Sequence, residues 1–178
     1  MAFDVDEPIL AALVYATGEG AVMGRLAEAA LASGLDAAGM IQHDERRPER
    51  RRCDMTLVDL GSGRRIALSQ DRGKDARGCR LDHAALEEAA GLALAALEGA
   101  DLPDVLILSK FGKREIEGHG FRQVVERAVE LGVPLLVGVT ADHVEGFRAF
   151  GGGLEQVLES EGQAGALIAT LAARRNAA

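Results

Sequence analysis

The sequence contains no tryptophan, and aromatic residues make up only 3% of its 178 residues. Proteins that bind single-stranded nucleic acid stack bases on several aromatic side chains, so this composition disfavours that class. The two cysteines, Cys53 and Cys79, cannot form a zinc site alone, and in a reducing compartment we expect free thiols. No apolar run approaches the roughly 20 residues that cross a bilayer. The acidic start MAFDVDEP does not resemble a signal peptide, and we therefore expect a cytoplasmic protein without a membrane segment.

Positive charge is scarce overall but concentrated in the middle of the chain. The net charge is −8, with a sequence pI near 5.0, which argues against a general nucleic-acid binder. Residues 46–80 contain eleven Lys or Arg against five acids, a local charge of +6 that leaves −14 for the rest. The run RRPERRR within this segment is either a solvated tether or a weak contact with an acidic protein partner.

The order of apolar runs predicts one α/β domain over residues 1–178. Strands are predicted at 8–15, 36–42, 104–108 and 133–140. Helices are predicted near 21–34, 82–99 and 121–132, with a short turn of helix around 144–147. A last helix, from about 163 to 174, is predicted within the C-terminal region 160–178. Strands that alternate with helices predict a doubly wound, mostly parallel sheet. The segments 53–60 and 64–69 flank GSG and predict a β-hairpin, inside a basic insertion at 46–81. The polar stretch from His43 and residues 70–81 are predicted loops.

Ligands of such sheets bind where strands end and loops meet helix N-termini. After the first strand comes ATGEGAVMG, in which Gly18, Gly20 and Gly24 would let backbone N–H groups approach a phosphate. The loop departs from G-x-x-x-x-G-K-[ST] because no lysine follows any of these glycines, and Glu19 would repel a phosphate. The alternative interpretation is a tight turn between strand and helix.

A second candidate is SKFGKREIEGHGF, residues 109–121, at the exit of the buried run DVLIL. Lys110, Lys113 and Arg114 lie near the start of a predicted helix, and Gly112 would let the backbone bend toward a ligand. The Glu115 carboxylate could orient these basic side chains. A solvated charge run is the alternative interpretation.

A third candidate is the loop SQDRGKDARGCR, whose arginines suit bidentate binding of oxyanions. Arg72, Arg77 and Arg80 are the predicted contacts, and a disordered surface loop is the alternative. The four histidines do not have the spacing of a metal set on any one element, so they give a weak metal signal.

Four segments resemble the bacterial domain of unknown function 2478 family: VY…G…L…GLDAAGMIQ, CDMTLVDL.SGRRI.LSQDRG…GCRLD, D.LILSKFGKREIEGHGFR and G.PLLVGV. The resemblance spans roughly residues 9 to 159. It implies no particular activity, but it implies an association with molybdenum uptake and cofactor genes.

The order of elements is also similar to that of the thermophilic nucleoside-triphosphatase family, which implies a P-loop-NTPase-like fold. That family's phosphate-loop lysine and Ser/Thr have no counterpart between Gly18 and Leu26, and its metal-holding acidic pair falls at Ser109 and Lys110. Without these groups, Mg-assisted phosphoryl transfer loses the charges that stabilise its transition state. The resemblance therefore implies the scaffold and an anion pocket.

We interpret the chain as a protein that binds a small anion, either a nucleotide or an oxyanion such as molybdate, without efficient catalysis. Lys110, Lys113 and Arg80 would supply most of the charge. One alternative is a divergent nucleoside triphosphatase in which Glu115 or Asp142 holds a metal. Another is a protein-interaction module that takes no small ligand. The sequence identifies no cofactor, and homo-oligomerisation stays open.

Overall fold

The structure, a computed structural model, describes residues 8–45, 54–69 and 81–177. Its strands are β1 (Leu10–Tyr15), β2 (Ala37–Glu45), β3 (Asp54–Asp59), β4 (Arg65–Ala67), β5 (Val105–Phe111), β6 (Leu135–Thr140) and β7 (Glu155–Leu158). Its helices are α1 (Ala21–Ala32), α2 (His83–Ala95), α3 (Lys113–Ile116), α4 (Arg122–Glu130), α5 (Val144–Gly151) and α6 (Glu161–Ala177), with a 3₁₀ turn at Ala141–His143.

The strands form one sheet in the order β4-β3-β2-β5-β6-β1-β7. Strands β2, β5, β6, β1 and β7 run parallel, whereas β3 and β4 add an antiparallel hairpin at one edge. The predicted doubly wound sheet with a hairpin is confirmed.

Helices cover both faces of this sheet. Helices α1 and α6 pack on one face, against alternate residues of the central strands such as Ile107 and Leu136. Helices α2 and α4 and Phe147 of α5 pack on the other face, against residues such as Leu106 and Val137. Because both faces are covered, the central strands are apolar without alternation, as is typical of parallel sheets.

A local signal sets the start of α2. The Asp82 side chain accepts a hydrogen bond from the Ala85 N–H at 3.1 Å, so the predicted N-cap of α2 is confirmed. The prediction that this helix continues to Gly99 was wrong, because α2 ends at Ala95. The N–H groups of Leu97 and Glu98 then bond three residues back, which tightens the chain into turns.

The predicted loop that begins at His43 was also wrong for its first three residues. His43, Asp44 and Glu45 belong to β2 and pair with Thr56, Met55 and Asp54 of β3. They are exposed, so backbone pairing rather than burial keeps them extended.

Three further elements were not predicted. Strand β5 continues through Ser109 to Phe111, and the short helix α3 follows it. Strand β7 has four residues, two of them polar, and pairs with β1 at the sheet edge. Among the described residues, no helix is long and apolar enough to span a bilayer.

Candidate functional site

A cleft of about 560 Å³ opens at the carboxyl ends of β1, β2 and β5. One wall is the loop after β1 together with the first turns of α1, and the opposite wall is the end of β2. The lining residues are Tyr15, Gly18, Gly20, Ala21, Gly24, Arg25, Glu28, Gln42, His43, Asp44, Glu45, Arg65 and Ser109. The predicted glycine loop therefore borders a cavity.

The glycine loop carries the chain directly from β1 into α1. Gly18 has φ of +94°, a backbone conformation that other residues rarely adopt. Gly20 is the N-cap of α1 and offers no side chain to the helix end. Gly18, Gly20 and Ala21 line the cleft, so the N-terminus of α1 and its partial positive charge border it. Such a position favours a negatively charged ligand.

The floor of the cleft consists of Tyr15 and Ser109. The Tyr15 hydroxyl donates a hydrogen bond to the Ser109 carbonyl at 2.8 Å, and the Gln42 N–H donates to Ser109 Oγ at 2.7 Å. Burial, and secondarily the charge of Asp44, raises the pKa of Tyr15 to about 12. The phenol therefore stays neutral at physiological pH.

The charges around the cleft are mixed. Arg25 binds Glu161 of α6 through two hydrogen bonds of 2.8 and 2.9 Å, and Arg65 lies 3.3 Å from Glu45. The lining also contains the carboxylates of Glu28 and Asp44. The two lining arginines are thus already paired with carboxylates.

The basic side chains of the second candidate stretch are not among the residues that line this cleft, although Ser109 of the same stretch is. Leu108 pairs with Val137 and Phe111 with Val139, so β5 has a bulge there, and Lys110 is exposed. Lys113 is exposed and lies 3.7 Å from Glu117. Arg114 is partly buried, at 3.8 Å from the same carboxylate.

Glu115 is buried, and its exposed fraction is 4%. One carboxylate oxygen accepts the Gly112 N–H at 2.8 Å and the other accepts the Phe121 N–H at 3.2 Å. Burial raises the pKa of Glu115, and these backbone hydrogen bonds oppose that rise. Glu115 and Gly112 thus hold α3 against the start of α4.

The arginine loop lies outside the described residues. This applies to the predicted ligands Arg72, Arg77 and Arg80, and also to Cys53 and Cys79. Across residues 8–45, 54–69 and 81–177, no group of three or more His, Cys, Asp and Glu side chains could hold a metal ion. His143 Nδ1 lies 2.8 Å from Thr140 Oγ1, and Asp142 is exposed. A role for Glu115 or Asp142 in holding a metal stays a prediction.

Sequence reasoning missed the floor and far wall of the cleft. Tyr15 ends a strand directly before the glycine loop, and that position was the available signal. Ser109 was noted only because it stands where the nucleoside-triphosphatase family has one of its metal-holding acidic residues. Gln42 and Arg65 gave no signal, since pairing of β2 with the hairpin brings them to the cleft.

Comparison with protein families assigns most of the chain. Residues 10–166 match the family described as protein of unknown function (DUF2478). The chain belongs to this family. The resemblance inferred from the motifs is therefore confirmed.

A curated relative is the Molybdenum import ATP-binding protein ModC 2 of Bradyrhizobium diazoefficiens, which is 28% identical over 162 residues. The match covers 90% of the chain but only 18% of that relative.

Two solved structures share the fold. A human cancer-related nucleoside triphosphatase has a TM-score of 0.61 and 22% identity, covering 96% of this chain and 98% of that one. THEP1 from Aquifex aeolicus has a TM-score of 0.55 and 17% identity, covering 85% and 88%. These similarities establish the P-loop-NTPase-like fold.

Proposed function

We propose that the protein binds a small anion, either a nucleotide phosphate or an oxyanion such as molybdate, and does not turn over nucleotides efficiently. The observation that carries the proposal is the cleft between the glycine loop and the end of β2. Gly18, Gly20 and the start of α1 would supply backbone N–H groups and a favourable dipole.

Two observations support the choice of ligand and the absence of efficient catalysis. The relative from Bradyrhizobium has molybdenum import and ATP binding in its name, which favours molybdate and nucleotides as ligands to test. Ala21 begins α1 where the resemblance would require a phosphate-loop lysine and hydroxyl, and Ser109 and Lys110 replace a metal-holding acidic pair. Phosphoryl transfer without these groups would lack its main electrostatic stabilisation.

A thermal-shift screen tests the proposal. A ligand present at 100 times its dissociation constant should add about 2.7 kcal/mol to the free energy of unfolding. Phosphate, sulfate, molybdate, tungstate and nucleotides should be compared, each with and without Mg²⁺. Unchanged melting with all of them would contradict the proposal and favour a module that docks on an acidic protein instead.

Divergent nucleoside-triphosphate hydrolysis is the second candidate, favoured by the similarity in fold to a human cancer-related nucleoside triphosphatase. It predicts Mg²⁺-dependent phosphate release at about 1 to 10³ per second, as for ordinary enzymes. The anion-binding proposal predicts rates well below this range.

Gly20→Asp should weaken anion binding at least tenfold without unfolding the protein. Gly20 has φ of −58°, which any residue adopts, and a Cβ there would lie 3.7 Å from the Tyr15 ring, an ordinary contact. An added carboxylate at the helix N-terminus is tolerated or mildly favourable for the fold, whereas it would repel an anion on the loop. Calorimetric titration should show at least a roughly tenfold loss of affinity, about 1.4 kcal/mol.

Gly20→Ala is the matched control because it adds the same Cβ without charge. Its affinity should stay close to wild type. Equal affinity in Gly20→Asp and wild type would place the anion away from the loop.

The basic residues at the end of β5 and in α3 stay a proposed part of the binding site. Lys110→Ala and Lys113→Ala should change the free energy of unfolding by less than about 0.5 kcal/mol, because both side chains are exposed. Loss of a charge-assisted contact should weaken anion binding by about 1.5 to 3 kcal/mol. Arg127→Ala, which removes an exposed partner of Glu130 on α4, is the control. Wild-type affinity in both lysine variants would restrict the site to the cleft.

A further inference from the structure

Tyr15 reaches across a neighbouring strand. It is the last residue of β1, and its hydroxyl bonds to the Ser109 carbonyl of β5, although β6 lies between these two strands. Its ring also faces the glycine loop, because a Cβ on Gly20 would lie 3.7 Å from two of its atoms.

Two local features make this crossing possible. On β6, Gly138 lies under the ring, where a Cβ would be 2.7 Å from Tyr15 Cε1 and 2.2 Å from the Ser109 carbonyl oxygen. On β5, the bulge between Leu108 and Phe111 shifts the ladder, so that Ser109 and Lys110 oppose one residue of β6. A side chain at position 138 would exclude the ring from its present place.

The ring therefore lies between the glycine loop and Ser109, and all three belong to the lining of one cleft. A ligand on the loop meets an uncharged phenol that already donates its proton to Ser109.

The charge of the lining also disfavours a long anion. Of the three lining carboxylates, Glu45 is paired with Arg65, and the other lining guanidinium, Arg25, is paired with Glu161 outside the lining. Glu28 and Asp44 therefore add negative charge to the cleft. A chain of phosphates that extended from the loop along the cleft would approach more of these carboxylates than a compact anion on the loop. Like charges brought together in this way oppose binding.

We propose that Tyr15 determines specificity by closing the floor of the cleft, so that the site selects a compact tetrahedral oxyanion over a polyphosphate chain. This inference rests on the proposed function, and it narrows that function to phosphate-, sulfate- or molybdate-like ligands. Tyr15 acts through shape and neutrality, and the backbone of the glycine loop makes the polar contacts.

The test is the ratio of affinities for molybdate and tripolyphosphate in wild type, Tyr15→Phe and Tyr15→Ala, each measured by calorimetry. Wild type should prefer molybdate. Tyr15→Phe keeps the ring and should keep the ratio within about threefold, which corresponds to less than 1.4 kcal/mol. Tyr15→Ala opens the floor and should shift the ratio at least tenfold toward tripolyphosphate. Tyr15→Leu, which retains more apolar volume, should shift it in the same direction if Tyr15→Ala does not fold.

An optical signal separates the two proposals. Tyr15 is the sole tyrosine and the chain has no tryptophan, so ultraviolet fluorescence of the wild type reports on the cleft floor. Molybdate that binds on the loop should change this emission, and Gly20→Asp should remove the change. An unchanged affinity ratio in the folded Tyr15→Ala or Tyr15→Leu variant would overturn the role of Tyr15 and leave anion binding intact. Absence of binding by every anion would overturn both.

Discussion

Gly138→Ala is expected to destabilise the protein by about 3 kcal/mol, at the upper end of the range for overpacked cores. The added Cβ would lie 2.2 Å from the Ser109 carbonyl oxygen and 2.7 Å from Tyr15 Cε1, with Met23 Cγ at 3.0 Å. The first of these neighbours is backbone in a central strand and cannot move aside cheaply. Tyr15 should be displaced and its hydrogen bond to Ser109 lost. Urea unfolding measures the free energy, and the tyrosine pKa should fall toward its ordinary value.

Gly91→Ala is the matched control. Gly91 lies inside α2, is exposed, and has nothing within 4 Å of the position of an added Cβ. Alanine in a helix interior is favoured over glycine by about 0.5 to 1 kcal/mol, so this variant should be slightly more stable than wild type. A Gly138→Ala variant as stable as Gly91→Ala would mean that Tyr15 does not pack across β6.

Glu115→Ala should cost about 3 kcal/mol, because it removes the acceptor of two backbone N–H groups, each worth about 1 to 3 kcal/mol when left unsatisfied. These are the N–H groups of Gly112 and Phe121, which the buried carboxylate joins. Glu117→Ala is the control, since Glu117 is partly exposed and its ion pairs with Lys113 and Arg114 are long. It should change stability by less than about 0.5 kcal/mol.

The pH dependence of Glu115→Ala has a defined sign. Burial raises the pKa of Glu115 in the folded protein above its unfolded value. The corresponding stability is fully present below the unfolded pKa and is lost as the pH rises through the folded pKa. The alanine variant lacks this titration, so the difference in stability between wild type and variant should shrink from acid to neutral pH. A difference that grows with pH would mean that Glu115 is stabilised as a charged group.

The fold followed from signals that act over short stretches of chain. The unbroken apolar run at 104–108 indicated a strand covered on both faces, and Asp82 marked the start of α2. Strand β7 escaped prediction because Glu155 and Gln156 are polar and the strand gains its place by pairing with β1. His43 to Glu45 were missed for the same reason, because they are polar and are held in the sheet by pairing with β3.

The cleft was only half predictable. Gly18 and Gly20 follow a strand and precede a helix, a local pattern that indicates an anion site. The Tyr15 floor depends on a bulge in β5 and a missing side chain at Gly138, which no periodicity reveals. The role of Glu115 could not be predicted from the polar, basic stretch in which it lies. The structure buries its carboxylate against two backbone N–H groups.

The most direct test of anion binding on the glycine loop is a titration of the ¹⁵N-labelled protein with molybdate and with phosphate, followed by amide chemical shifts. The structure predicts that the largest changes occur at Gly18, Gly20 and Ala21, with smaller changes at Gln42 across the cleft. The same titration of Gly20→Asp, at the same anion concentrations, should leave the resonances of Gly18, Ala21 and Gln42 nearly unmoved. Amide shifts confined to other parts of the chain, or none with either anion, would contradict binding at the loop.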